Sequence, residues 1–245
     1  MTNGPTRLRC VWLCILTLSA LGVTSLARAA GDETWYGAIK ASISEDTIAQ
    51  MQQSGIGTGQ LIEGQLDGAL EDRSVDDYTA GLSVAIGRRS GYWNMELEYT
   101  YRYRTDWDMV ASTPSIRTIT NVFSDVETNT LMLNAARRGS LSQYWSWELG
   151  AGLGLTLKSI DSRYIERATD TDPQQSFGDN DRSAEFSWSV FAGATRALGG
   201  AWTFNARLRY LDMGDLEAGP FPQRDARVSA QHSAMELQFS FERDF

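Results

Sequence analysis

The chain has 245 residues, of which 22% are charged and 11% aromatic, and its formal net charge is −9. This acidic balance argues against nucleic-acid binding, which depends on basic stripes that engage phosphates. Both cysteines, Cys10 and Cys14, precede residue 29, so thiolate metal sites and cysteine nucleophiles are excluded for the rest of the chain.

The first 29 residues have the pattern of a secretory signal peptide. Arg7 and Arg9 precede an apolar run over residues 11–23, and Ala27-Arg28-Ala29 places small residues where a signal peptidase inspects them. The run is shorter than the about 20 residues that a membrane-spanning helix needs. We therefore predict cleavage after the second of these alanines and a single domain over residues 30–245.

Eight later segments alternate apolar and polar residues, as expected of strands with one apolar face. The predicted strands cover residues 35–43, 78–87, 92–104, 127–136, 144–158, 184–196, 201–211 and 229–245. Long and short connections alternate along the chain. The long connections cover residues 44–77, 105–126, 159–183 and 212–228. An even strand number with short periplasmic turns and longer extracellular loops is typical of outer-membrane barrels.

A soluble β-sandwich shows the same alternation, with its apolar face packed inside. The export signal, the lack of cysteine after residue 29 and the aromatic Phe245 at the end favour a barrel. We predict an all-β fold, an eight-stranded antiparallel up-and-down transmembrane β-barrel with four long extracellular loops and short periplasmic turns. In the first loop, residues 46–53 are predicted to form a short helix.

The polar strand faces then point into the lumen. Their charged residues are Lys40, Glu96, Glu98, Arg102, Arg104, Glu148, Lys158, Glu185, Arg207, Arg209, Glu236 and Glu242. Eight strands leave an interior that side chains can just fill, and buried charges are tolerated when paired. We predict a plugged core without a water-filled pore. Its central ion-pair cluster comprises Lys40, Glu96, Glu148, Arg207, Arg209 and Glu236, with Lys40 close to Glu236.

The last eleven residues, MELQFSFERDF, place five apolar side chains on one face, namely Met235, Leu237, Phe239, Phe241 and Phe245. Together with the opening WYGAIKAS and with RYLDMGDLEAG at residues 209–219, this segment resembles small Gram-negative outer-membrane β-barrels, the OmpA transmembrane-domain-like and porin-like surface antigens. Arg243 departs from that family, which usually has an apolar residue there. No peptidoglycan-binding domain is expected to follow.

The resemblance implies a location in the bacterial outer membrane, among its lipids and lipopolysaccharide. It also implies that the barrel-assembly machinery reads the C-terminal segment as its signal. RYLDMGDLEAG looks like a family turn near the penultimate strand.

Members of that family differ in role, so the chain has three candidate functions. The first is a structural or adhesin-like role in the envelope, with a host or surface ligand bound at the loops. The alternatives are a narrow channel for small or apolar solutes and an enzyme that modifies lipid A.

Catalysis is not expected from these residues. The only histidine, His232, is followed directly by Ser233, and adjacent strand residues point to opposite faces. We therefore expect a histidine at the barrel rim near a loop, and no catalytic, cofactor-binding or metal-binding residue.

Overall fold

The computed structural model describes residues 33–54, 74–113, 118–167, 175–220 and 227–245. The predicted signal peptide lies outside these residues, so its cleavage and the start of the domain at residue 30 stay predictions. None of the described residues forms a helix that is long and apolar enough to cross a membrane.

The described residues form eight strands. They are β1 (Glu33–Ser54), β2 (Ser74–Ser90), β3 (Trp93–Thr113), β4 (Thr118–Ser140), β5 (Trp145–Arg167), β6 (Gln175–Gly199), β7 (Trp202–Ala218) and β8 (Arg227–Asp244). Each strand pairs antiparallel with the next, and β1 closes the barrel against β8. Pairing is incomplete along the strands, because β2 and β3 stop pairing at Gly81 opposite Arg102, and β6 and β7 stop at Trp188 opposite Asp212. The predicted all-β, eight-stranded up-and-down barrel is confirmed.

One end of the barrel, here called the turn end, has short connections. Residues 91–92 join β2 to β3, residues 141–144 join β4 to β5, and residues 200–201 join β6 to β7. Gly199 and Gly200 have φ angles of 100° and 62°, a region that only glycine enters at little cost. The opposite end is called the loop end.

The strands run further toward the loop end than the sequence analysis predicts. The shortest has 17 residues and the longest has 25, whereas about 9–11 residues suffice to cross a membrane. The predicted helix at residues 46–53 is wrong, because β1 continues as a strand to Ser54. Much of the predicted loops at 105–126 and 159–183 is also strand.

Three irregularities change which side chains face inward. The pairing of β1 with β8 shifts between Ala49 and Gln52, so that Ile48 and Met51 both face inward. The pairing of β3 with β4 shifts between Arg102 and Thr105, and the pairing of β7 with β8 shifts between Asp212 and Asp215. The bulge in β7 contains Gly214 at a φ of 73°. The turn implied at residues 209–219 is therefore wrong, since this stretch continues β7 through a bulge.

Candidate functional site

The middle of the barrel interior holds all six residues of the predicted ion-pair cluster. They come from five strands: Lys40 from β1, Glu96 from β3, Glu148 from β5, Arg207 and Arg209 from β7, and Glu236 from β8. None of them is more than 2% exposed. They face inward because polar and apolar positions alternate along each strand.

Two carboxylates on β3 collect cations from across the lumen. The Nζ atom of Lys40 lies 2.5 Å from Glu96 Oε1 and 2.5 Å from Glu98 Oε2. Arg207 Nη1 lies 3.4 Å from Glu96 Oε1, and Arg209 Nη1 lies 2.8 Å from Glu98 Oε1. These contacts connect β1, β3 and β7 through the interior.

Glu236 on β8 is held by two arginines. Arg102 Nε donates to its Oε1 at 2.8 Å, and Arg209 Nε donates to its Oε2 at 2.5 Å. The expectation that Lys40 meets Glu236 is wrong. The register of β1 against β8 places Ser240 opposite Lys40, so Glu236 pairs further toward the loop end.

Glu148 on β5 completes the set toward the turn end. It accepts hydrogen bonds from Arg207 Nε at 2.9 Å and from Asn205 Nδ2 at 2.8 Å. We call the connected charged residues the lumen network. They are Lys40, Glu96, Glu98, Arg102, Glu148, Arg207, Arg209 and Glu236. Every buried charge in this network has an opposite charge beside it, which offsets the cost of removing it from water.

Two of the charged residues assigned to the lumen do not belong to its core. The bulge in β3 turns Arg104 to the outer surface, where Nη1 lies 2.8 Å from Asp125 Oδ2. Glu185 on β6 is only half-buried. A bulge adds one residue to the alternation, and the sequence pattern contains no sign of this insertion.

Tyr36 and Arg89 also face the lumen, although the sequence analysis did not assign them to it. Tyr36 donates its hydroxyl hydrogen to Glu96 Oε2 at 2.8 Å, and its phase in β1 would have indicated an inward position. Arg89 forms ion pairs with Glu242 and Asp244. Arg89 lies between the predicted strands 78–87 and 92–104, where alternation indicates no direction for a side chain.

A second layer fills the interior toward the loop end, and it is apolar. We call it the upper apolar cluster; it contains Ile48, Met51, Trp107, Val122, Val126, Ile160, Tyr164, Leu216, Ala218, Val228 and Ala230. All are at most 3% exposed. The sequence analysis missed this layer because it assigned most of these residues to loops. The signal was weak, since Ser124 and Ser162 interrupt the apolar inward positions of β4 and β5, and Phe123 lies on the outer face.

His232 lies inside the barrel and not at an exposed rim, so that expectation is wrong. Its Nε2 atom is 3.3 Å from Asp46 Oδ2, and its side chain is fully buried. Ser44 donates to the other oxygen of Asp46 at 2.7 Å. Ser233 is half-buried on the opposite face of β8, as expected. Neither Ser44 nor Ser233 forms a hydrogen bond with His232, so the described residues contain no Ser–His dyad.

The outer surface carries a continuous apolar band next to the turn end. On β5 it runs from Trp145 to Leu157, which spans about 30 Å at the strand tilt typical of such barrels. Met235, Leu237, Phe239, Phe241 and Phe245 are all exposed on this surface. A soluble protein would not leave so large an apolar area in water. The chain is therefore an integral outer-membrane β-barrel, as its architecture also indicates.

Above the band, toward the loop end, the outer surface becomes polar. Outward positions there hold Asp106, Asp108, Asp125, Asp161, Arg163 and Arg182. Partial burial, together with the nearby carboxylates of Asp106 and Asp125, raises the pKa of Asp108. These residues lie on β3, β4, β5 and β6, which stay paired with one another toward the loop end, and we call this surface the polar wall.

No protein-family model matches the chain, and no curated protein sequence matches it. Several solved outer-membrane barrels have a similar fold. Neisserial surface protein A has 13% identity and a TM-score of 0.48, with 86% of this chain and 97% of that chain covered. OprG from Pseudomonas aeruginosa has 15% identity and a TM-score of 0.48, with 86% of this chain and 97% of that chain covered. AlkL, whose structure was determined in DMPC bilayers, has 14% identity and a TM-score of 0.45, with 91% of this chain and 94% of that chain covered. Identities this low do not indicate a shared role.

Proposed function

We propose that this integral outer-membrane barrel has a structural or surface-interaction role, carried by the polar wall at the loop end and by its connections. One observation carries the proposal. The interior is filled by two stacked layers, the lumen network and the upper apolar cluster, while the strands continue beyond the apolar band. The surface left to meet other molecules is therefore the one above the membrane.

The length of the strands supports this role. β4 and β5 have 23 residues each and remain paired from Ile119 opposite Arg167 down to Ser140 opposite Ser146. About half of that length suffices to cross the membrane. Paired strands fix the backbone from which these side chains project, so the polar wall loses little backbone entropy on binding.

A channel role has less support. A solute entering from the loop end would first have to displace Trp107 and its apolar neighbours. It would then have to separate ion pairs such as Arg209 with Glu98 and Arg207 with Glu148. Breaking one such buried pair typically costs about 3–5 kcal/mol, and several would have to open together.

A lipid A-modifying activity also has less support. A hydrolase of that type needs a nucleophile within about 3 Å of its base. His232 instead faces the carboxylate of Asp46 inside the barrel, away from the lipid-facing surface.

The test uses a strain that lacks the protein. The strain is complemented with the full chain or with a variant in which residues 56–72 are replaced by a short Gly-Ser linker. The readouts are adhesion to host cells and abiotic surfaces, leakage of a periplasmic marker, and the mass of lipid A. Heat-modifiable gel mobility checks that both barrels are folded.

We expect the full chain to restore adhesion or envelope integrity, and the linker variant to restore less with unchanged gel mobility. A second variant, R163E with R182E, tests the described polar wall directly. Equal restoration by all variants would contradict the surface role. A change in lipid A mass that follows expression of the full chain would favour the enzyme instead.

A further inference from the structure

Four Trp–Arg pairs surround the outer surface at the turn end. Opposite each other across neighbouring strands are Trp35 and Arg88, Trp93 and Arg137, Trp145 and Arg196, and Trp202 and Arg243. We call these eight residues the Trp–Arg girdle. The pairs lie between β1 and β2, β3 and β4, β5 and β6, and β7 and β8, so they repeat around the whole circumference.

The tryptophans hold the arginines at the edge of the apolar band. The guanidinium carbons of Arg88, Arg196 and Arg243 lie 5.9, 5.5 and 5.6 Å from the centroids of their partner rings. A cation over an indole face is attracted by the ring, and tryptophan prefers the membrane interface. The N–H groups at the free edge of each guanidinium can still donate hydrogen bonds.

Most of these arginines have no carboxylate partner. Arg88 forms an ion pair with Glu33. No such pair is found for Arg137, Arg196 or Arg243 in the part of the chain that the structure describes. The outward charges at the loop end have mainly the opposite sign, including Glu45, Asp106, Asp108, Asp125, Glu127 and Asp161. The Trp–Arg girdle thus gives the outer surface a net positive charge beside one leaflet.

We propose that the Trp–Arg girdle binds the phosphate groups of anionic phospholipids in the leaflet at the turn end, which is the periplasmic leaflet in a barrel of this kind. Arginine matches a phosphate with two parallel N–H donors, and the interface lowers the dielectric constant around the pair. The inference depends on membrane insertion and is independent of the surface role proposed above.

The experiment measures which lipids contact the barrel. The full chain is reconstituted in phosphatidylcholine vesicles that contain a trace of spin-labelled phosphatidylglycerol or spin-labelled phosphatidylcholine. Electron paramagnetic resonance gives the motionally restricted fraction of each label and hence the relative association constant. We expect the full chain to prefer the anionic lipid by about threefold to fivefold, roughly the effect of one basic residue at a membrane surface.

The variant R137Q/R196Q/R243Q should reduce this preference to about one. The matched control is R104Q/R163Q/R182Q, which removes three outward arginines at the loop end and should leave the preference unchanged. The variant E33Q should increase it, because Arg88 then loses its competing carboxylate. Raising the salt to about 1 M should abolish the preference of the unmodified chain, since charges at the surface are then screened within about 3 Å.

Heat-modifiable mobility and protection from added protease report insertion separately. An inserted chain with no preference for the anionic lipid would overturn the inference, and so would an equal loss in both arginine variants. If the girdle variant does not insert, the salt series and E33Q decide the question. Failure of the unmodified chain to insert would instead contradict its placement in the membrane.

Discussion

Glu98 shows how a charge can be buried inside this barrel. Its Oε1 atom accepts hydrogen bonds from Arg209, Thr100 and Gln238. Its Oε2 atom accepts hydrogen bonds from Lys40 and Asn134, so both oxygens have charged and neutral donors. Hydrogen bonds between ionised groups are the strong ones, and they restrain both partners. The network thereby fixes the relative positions of strands that are distant around the barrel wall.

We predict that R209Q destabilises the barrel by about 3–5 kcal/mol, because it leaves carboxylates of Glu98 and Glu236 buried without their shared cation. The matched control is R104Q. Arg104 is paired with Asp125 on the exposed outer surface, where an ion pair contributes at most about 1 kcal/mol. Urea unfolding in detergent micelles, followed by tryptophan fluorescence, measures both. Equal losses in the two variants would show that the buried network does not stabilise the fold.

Gly154 on β5 allows the backbones of β4 and β5 to approach each other closely. A Cβ atom added at Gly154 would lie 2.1 Å from the carbonyl oxygen of Leu131 and 2.9 Å from the Cα atom of Met132. Alternation along β5 puts Gly154 on the inner face, opposite in direction to Leu153 and Leu155. The structure shows that it accommodates the backbone of the neighbouring strand.

We therefore predict that G154A lowers the free energy of unfolding by about 1–3 kcal/mol or more, because backbone atoms of β4 and β5 would have to separate. Gly178 on β6 is the control, since the nearest atom to an added Cβ there is 3.9 Å away. The G178A variant should unfold at the same urea concentration as the unmodified chain. A shift of the midpoint in G178A as large as in G154A would contradict the steric explanation.

At the scale of the strands, alternation predicted the membrane-spanning part of the wall well and its continuation poorly. In β5 the residues from Trp145 to Leu157 alternate strictly, because one face meets lipid and the other meets side chains. Beyond Leu157 the outer face becomes polar while Ile160 and Tyr164 face inward. There the two faces of the strand differ only as they do in an ordinary half-buried sheet. Segments that are rich in acidic and hydroxyl residues also resemble loops in composition.

Ion-pair partners were less predictable than inward positions. Alternation places a residue on a face, but the partner depends on how far neighbouring strands are displaced along each other. Lys40 faces Ser240 rather than Glu236 for this reason. Bulges add one residue to a strand without a reliable sequence signal, and Arg104 was assigned to the wrong face as a result.

The revised strand bounds change which deletion is informative. Removing residues 44–77, the first loop as predicted from the sequence, would delete the outer parts of β1 and β2, including Ile48 of the upper apolar cluster. We predict that this deletion abolishes heat-modifiable mobility, whereas removal of residues 56–72 preserves it. Semi-native gel electrophoresis of refolded protein distinguishes the two. Folding of the longer deletion would show that the extended parts of β1 and β2 are dispensable.

In the whole molecule, the two interior layers lie at different depths, and one is charged while the other is apolar. The lumen network lies where lipid surrounds the barrel, so its charges are compensated by one another and not by bulk water. The upper apolar cluster lies where the outer wall is polar, so the extended strands have a core of their own. The same strands thus form the membrane-spanning wall and continue beyond it around a packed apolar interior.

This arrangement predicts that the unmodified chain forms no stable open channel in planar lipid bilayers. The reason is steric and electrostatic, since Trp107 blocks the apolar layer and Arg207 with Glu148 blocks the charged layer. The variant W107A removes only the upper obstruction, so it should remain closed as well. Adding R207S and E148S to W107A removes obstructions in both layers and should produce brief openings. Stable conductance of nanosiemens size in the unmodified chain would show that the interior is not closed, and passage through the lumen would then become the leading function.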